Sequence, residues 1–204
     1  MVDNKYLFFK RLLDAGISLC LLVLLGPLLG VVSVVSLVAQ GRPILFSQVR
    51  PGLLGRPFTI YKFRTMAQDV KESGAGTEAG RITGLGRLLR KLSLDELPQL
   101  WNVIRGDMSL IGPRPLLMEY LPLYNSRQSR RHSVRPGLTG LAQARGRNLL
   151  SWEERLELDA HYVESVSLTT DLRIFLWTLS TVTQGRGTTP QGSDVMEKFR
   201  GSFD

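Results

Sequence analysis

Residues 15–40 carry no charge, and within them CLLVLLGPLLGVVSVVSLVA is almost wholly apolar. A helix of that length extends about 39 Å at about 1.5 Å per residue, long enough to cross a bilayer. Gly26 and Pro27 interrupt it near the middle, where the proline removes a backbone donor and its ring meets the carbonyl of Val23. The pattern predicts a helix, a break and a second helix. Lys5, Lys10 and Arg11 precede the stretch, while Arg42, Arg50 and Arg56 follow it. Basic residues favour the cytosolic side, so both ends prefer the same face. Two arms of about 12 residues, each about 18 Å, can enter one leaflet and return; a kinked span is the other topology. A secretory signal fits poorly, because its apolar run is about 7–15 residues and a small residue should stand where Leu37 does.

The periodicity changes after residue 41. Residues 42–49 and 58–64 are short runs rich in β-branched and aromatic residues, and RPGLLGRP between them predicts a β-hairpin. Residues 67–86 hold five glycines among scattered charges and read as a mobile loop. Its GAGTEAG lacks the GxxxxGKS/T spacing of a phosphate loop, and no strand feeds into it. Leu85, Leu88, Leu89 and Leu92 recur at helical spacing with Arg87, Arg90 and Lys91 on other faces, which predicts an amphipathic helix. Ser151 and Glu154 make a capping-box pattern ahead of another helix. In DLRIFLWTLSTVTQ, starting at Asp171, the residues Ile174, Phe175, Leu176 and Trp177 take core packing as the default, with the membrane interface as the alternative. Beyond Gln184 the Gly, Thr, Ser and Pro content predicts a loosely ordered tail. The expected fold class is a helix-dominated α/β chain, a single membrane-associated domain with interfacial amphipathic helices. Its parts are an anchor at 1–40, a catalytic body at 41–184 and a flexible tail at 185–204.

Composition narrows the partners. A chain of 204 residues supports one domain with a real core. Lys and Arg number 26 against 18 Asp and Glu, a net charge of +8, which points to a polyanionic partner such as anionic lipid or a phosphorylated ligand. Nucleic acid is disfavoured, because aromatic residues are not interleaved with the basic ones as stacking platforms. Cys20 is the only cysteine, so a disulfide framework and a thiolate metal site are excluded. Two histidines, His132 and His161, outside any HExxH spacing, argue against a zinc enzyme.

The stretch LSLDELPQLWNVIRGDMSLIGPRP sets Asp95 and Glu96 side by side in front of a short apolar helix. Either Asp95 is the N-cap, with Pro98 at the third helical position, or Ser93 is the cap and Glu96 completes a capping box. Caps alone would explain both acids. The surrounding cations suggest more: Arg90 and Lys91 before the pair, Arg114 between two prolines, then Arg130, Arg131, Arg135, Arg145 and Arg147. Arginine forks bind phosphate bidentately, and an ionised aspartate beside them can hold Mg²⁺ or attack phosphorus. That combination suits phosphoryl transfer. Arg127, Arg130, Arg131 and Arg135 are equally suited to anionic lipid head groups.

YKFRTM, the DELPQL and GDMSLIGPRP block, RPGLTGLAQ and the GRN and SWEER segments together resemble the bacterial sugar transferase family, the monotopic phosphoglycosyl transferases. The resemblance implies a Mg²⁺-dependent transfer of a sugar phosphate from a UDP-sugar to undecaprenyl phosphate, with release of UMP. It implies Asp95 as nucleophile and metal ligand, forming a covalent phosphosugar, with Glu96 as its partner carboxylate. Lys62, Arg90 and Arg114 match basic positions around the phosphates, and Arg145 and Arg147 join them as expected substrate-binding residues. The length resembles small members that begin N-linked glycan assembly with di-N-acetylbacillosamine. A re-entrant anchor broken at Gly26 and Pro27 is implied, on the cytosolic face of the bacterial inner membrane among its anionic lipids. A homodimer is left open. Two positions depart from the pattern: Gly26 stands where serine is frequent, and Arg145 where a small polar residue is expected, which bears on sugar selectivity. The competing reading is a non-enzymatic basic anchor at the membrane surface.

Overall fold

The first element of the computed structural model is one helix, α1 (Asn4–Gln40), whose hydrogen-bonded pattern continues through Pro27. The model describes residues 4–67, 79–146, 149–183 and 198–201. The expected separation into two helices is therefore corrected: Gly26 and Pro27 lie inside a single helix. Proline's fixed φ is compatible with a helix, and its missing N–H costs one bond, enough to bend a long helix without ending it. Both ends of α1 are tied to the same body. Near its start, Lys10 Nζ lies 2.5 Å from Asp171, whose carboxylate also accepts from the hydroxyls of Tyr6 (2.7 Å) and Tyr162 (2.8 Å). Arg11 donates to the carbonyls of Val103 and Ile104, both at 2.6 Å, satisfying the end of a short helix, α3 (Leu100–Arg105). Near its other end, Val32 and Leu29 pack against Phe63 and Leu89. Between these attachments Val23 and Leu24 are 72% and 74% exposed.

The predicted hairpin forms. β1 (Leu45–Pro51) pairs antiparallel with β2 (Pro57–Phe63), in a register running from Leu45↔Phe63 to Pro51↔Pro57. Directly paired residues point to one side, so Phe46, Gln48 and Arg50 share a face with Lys62, Ile60 and Phe58. The chain then packs closely against α2 (Gly84–Lys91), which Thr83 caps by accepting from the Gly86 amide at 2.9 Å. A Cβ on Gly86 would sit 2.0 Å from the Thr65 carbonyl oxygen, so only glycine permits the approach that sets Arg90 beside Thr65.

Two short parallel strands, β3 (Ser109–Ile111) and β4 (Gly137–Thr139), join the centre of the body. After α4 (Ser126–Ser129) and α5 (Leu141–Arg145), the helix α6 (Trp152–Ser165) opens on the predicted capping box of Ser151 and Glu154. The last helix is α7 (Leu168–Thr183). One core joins Ile111, Val134, Leu141, Tyr162, Val163 and Ile174. Of the apolar residues expected in the core from α7, only Ile174 is there; Phe175, Leu176 and Trp177 are exposed. Helix periodicity is the reason, since one stripe of α7 packs on β3 and α5 and sets Ile174 in the core, while Phe175, Leu176 and Trp177 project from its other faces. Within the stretch expected to be a loose tail, Phe199 is buried against Tyr120, Tyr124 and Trp152, with ring centroids 5.4 to 5.8 Å away. The rest of that stretch, and residues 68–78 of the expected mobile loop, lie outside the described residues.

Candidate active site

Asp95 and Glu96 sit in a 3₁₀ helix, Leu94–Gln99, that Ser93 enters with φ of 55°, in the left-handed region. A non-glycine residue there carries a backbone cost that the surrounding fold must hold in place. Neither expected cap forms: Ser93 occupies the N-cap position without a side-chain bond, and the Glu96 carboxylate is engaged elsewhere. It accepts from Lys62 Nζ at 2.7 Å and from the two terminal nitrogens of Arg114 at 2.5 and 3.3 Å. Lys62 reaches it from β2, and Arg114 from the Pro113–Pro115 segment after β3. Arg90 borders the site with its Nε donating to Thr65 Oγ1 at 3.0 Å. Asp95 differs from its neighbour. It is 8% exposed, and among the described residues no hydrogen bond or ion pair engages its carboxylate.

The two acids therefore titrate apart. Burial and the adjacent Glu96 charge push the Asp95 pKa up, and Lys62, Arg114 and Arg90 offset this only in part. Burial also pushes Glu96 up, but attraction to Arg114 and Lys62 and the hydrogen bonds from both outweigh it. Glu96 is held well below the usual carboxylate range. Arg114 is raised in turn by Glu96. Lys62 is lowered by burial first and by Arg114 second. Glu96 thus balances two cations, which leaves Asp95 as the carboxylate open to chemistry.

A cleft of about 2150 Å³ runs past this pair. Lys62, Arg90, Asp95, Glu96 and Arg114 line one part, and Ile17, Leu21, Phe46, Leu172 and Phe175 line another. A charged pocket thus opens towards apolar surfaces of α1, β1 and α7. Residues 5–185 match the family model described as bacterial sugar transferase. The chain belongs to the bacterial sugar transferase family. It is similar to a Bacillus subtilis (strain 168) protein described as an uncharacterized sugar transferase, EpsL, at 47% identity over 97% of this chain and 98% of that one. It is 42% identical to a UDP-glucose:undecaprenyl-phosphate glucose-1-phosphate transferase of Caulobacter vibrioides, over 83% of this chain and 68% of the relative. It is 38% identical to the galactosyl transferase CpsE of Streptococcus agalactiae, over 90% of this chain and 44% of the relative, less than half of that protein's length.

The structure of this sugar transferase sorts the other basic residues. Lys62 and Arg114 bond to Glu96, and Arg90 lines the same part of the cleft. Arg145 does not line the cleft; its guanidinium stacks on Trp177, 4.4 Å from the ring centroid. Arg147 lies outside the described residues. The cluster weighed for lipid or substrate is committed within the protein. Arg127 and Arg130 pair with Glu157 and Glu164, Arg131 with Asp159, and Arg135 donates to the Gly106 carbonyl at 2.9 Å. Sequence reasoning missed Arg50 and Thr65 as cleft residues, and Asp171 as the partner of Lys10. Arg50 was visible only as a flanking charge; paired partners more than 150 residues apart, as Lys10 and Asp171 are, leave no local pattern.

Proposed function

We propose that this sugar transferase moves a sugar 1-phosphate from a UDP-sugar to undecaprenyl phosphate and releases UMP, with Asp95 as the covalent nucleophile. The observation that carries the reading is a buried aspartate that no hydrogen bond or ion pair engages among the described residues, beside a glutamate already neutralised by Lys62 and Arg114. In the first step an Asp95 Oδ forms a bond to the donor's β-phosphorus, and the bond from that phosphorus to the bridging oxygen breaks. UMP departs with the bridging oxygen and its electron pair. In the second step an oxygen of the lipid phosphate attacks the same phosphorus and expels Asp95, giving a lipid diphosphate sugar. Lys62, Arg90 and Arg114 orient the phosphoryl oxygens and offset the charge that builds on them. Partial burial keeps water from competing for the acyl phosphate.

The residues also fit Mg²⁺. Among the described residues no group of three or more His, Cys, Asp or Glu is gathered, so an all-protein cage is not the site's design. Mg²⁺ is commonly held by one or two carboxylates together with substrate phosphates and water, and Asp95 is the free carboxylate for that role. When bound, the ion would neutralise diphosphate charge.

The apolar surfaces support an acceptor in a membrane. Exposed Val23 and Leu24 on α1, Phe46 on β1, and Leu172, Phe175 and Leu176 on α7 supply a face suited to a leaflet. Both ends of α1 are fastened to the catalytic body, which supports a helix that enters and leaves on one side, and the basic residues flanking it favour the cytosolic face of the inner membrane. Holding the enzyme at head-group depth raises the effective concentration of a lipid phosphate.

The relatives are named for glucose and galactose, whereas the sequence resemblance suggested di-N-acetylbacillosamine. UMP release from UDP-glucose, UDP-galactose and UDP-di-N-acetylbacillosamine, with undecaprenyl phosphate and Mg²⁺, tests the reading. Release from one donor that depends on Asp95 is expected; the absence of release from all three, together with an inert wider panel, contradicts it.

A further inference from the structure

Arg50 lines the cleft from β1, on the hairpin face that also carries Lys62. Its partner is Gln48, whose Oε1 accepts at 2.6 Å, and its buried Nε has none. Among the described residues, every carboxylate along the cleft except Asp95 is already engaged. Glu96 holds Lys62 and Arg114, Asp159 holds Arg131, Asp171 holds Lys10, Asp14 accepts from Ser109, and Glu119 pairs with Lys198. Among the described residues only Asp95 is open, and Arg50 makes no hydrogen bond or ion pair with it. Burial and the nearby Arg114 guanidinium push Arg50 down to about 10, and the same two causes lower Arg155, which also lines the cleft. Arg50 and Arg155 thus each feel the charge of Arg114 in the same cleft, and cations gathered around one cleft favour an added anion.

Position along the hairpin says which anion. The Leu45↔Phe63 end rests on α1, because Phe63 packs against Val32. Arg50 lies five residues further, about 17 Å along the strand, next to the turn at residues 52–56. A phosphate carried by a lipid arrives from the anchored end. Arg50 stands about 13 Å along the hairpin from Lys62, a separation that two extended side chains and a diphosphate together can close.

We propose that Arg50 binds the donor's α-phosphate, the one that leaves as UMP, through its guanidinium fork. The inference rests on the phosphoglycosyl transfer proposed above and deepens it by dividing the phosphates: Lys62, Arg90 and Arg114 serve the transferred one, Arg50 the departing one. A fork on phosphate forms two parallel charge-assisted bonds, which lysine cannot reproduce.

The test compares full-length wild type, Arg50→Ala and Arg50→Lys by UMP inhibition, donor KM and undecaprenyl phosphate KM. Arg50→Ala is expected to weaken UMP inhibition and raise the donor KM together, by about tenfold or more, without moving the acceptor KM. Arg50→Lys falls between it and wild type, and decides by the same readings if the alanine variant does not fold. An unchanged UMP constant overturns the inference, as does a rise confined to the acceptor KM, which would give Arg50 to the lipid phosphate. A wild-type enzyme that releases no UMP from any donor overturns the underlying reading, and that result needs no variant.

Discussion

A single nitrogen of Arg131, Nη2, donates to the backbone carbonyl of Arg114 at 2.6 Å and to the Asp159 carboxylate at 2.7 Å. The two side chains are 1% and 2% exposed, and Tyr124 accepts from the other terminal nitrogen at 3.0 Å. An ion pair buried under the fold therefore holds the backbone of the residue that clamps Glu96. The route from fold to site is short: α6 supplies Asp159, Asp159 orients Arg131, and Arg131 fixes the segment bearing Arg114.

Removing one partner of this pair exposes its cost. Asp159→Asn leaves Arg131 buried without a counter-charge and is expected to destabilise the protein by about 3–5 kcal/mol in denaturant unfolding. Turnover should fall as well, since Arg114 loses its fixed backbone. An unchanged unfolding midpoint would show that the pair is not structural.

Asp95 and Glu96 should affect stability in opposite directions. The folded pKa of Asp95 lies above its unfolded value, so the folded state binds the extra proton between the two, and stability falls as pH rises through that window. The penalty is absent below about pH 3.9 and complete above the folded value. Asp95→Asn is therefore expected to raise Tm near neutral pH and to lose that advantage in acid below the unfolded value. The folded pKa of Glu96 is depressed, so its contribution is present above about pH 4.3 and lost as pH falls through the folded value. Glu96→Gln should lower Tm near neutral pH. Thermal melts of both variants across pH check the signs.

Arg145 is expected to be dispensable for donor binding. It stacks on Trp177 away from the carboxylates, a contact worth about 0.5–1 kcal/mol at an exposed site. Arg145→Ala should leave the donor KM close to wild type; a large rise in that KM would bring Arg145 back to the substrate.

The path of α1 can be read by labelling. Cys20 is the only cysteine, so Cys20→Ser gives a clean background for single cysteines at Lys5 and Arg42. An impermeant thiol reagent is expected to reach both from the same side of sealed inner-membrane vesicles. Labelling from opposite sides would establish a spanning helix.

What the sequence made legible was local. The hairpin, the helix before the carboxylates and the Ser151–Glu154 box rest on patterns within a few residues and all form, although Leu88 and Leu92 of that helix's leucine stripe are exposed. Lys62 and Arg114, expected around the substrate phosphates, both pair with Glu96. Pairings across the chain were not legible: Arg131 and Asp159 are separated by 28 positions and Lys10 and Asp171 by 161, so no period links them. Two local readings failed for physical reasons. Pro27 removes one bond from α1 without ending it. Of the apolar α7 residues, for which core packing is the default and the membrane interface the alternative, only Ile174 is buried, because composition does not say which stripe of a helix meets the body.

The central claim is that Asp95 carries the sugar phosphate between donor and lipid. Intact-protein mass after incubation with the accepted UDP-sugar and no acceptor tests it most directly. Wild type is expected to gain the mass of one phosphosugar and to lose it when undecaprenyl phosphate is added, while Asp95→Asn gains nothing and does not turn over. An Asp95→Asn enzyme that acquires the adduct, or that transfers at the wild-type rate without one, would contradict the account.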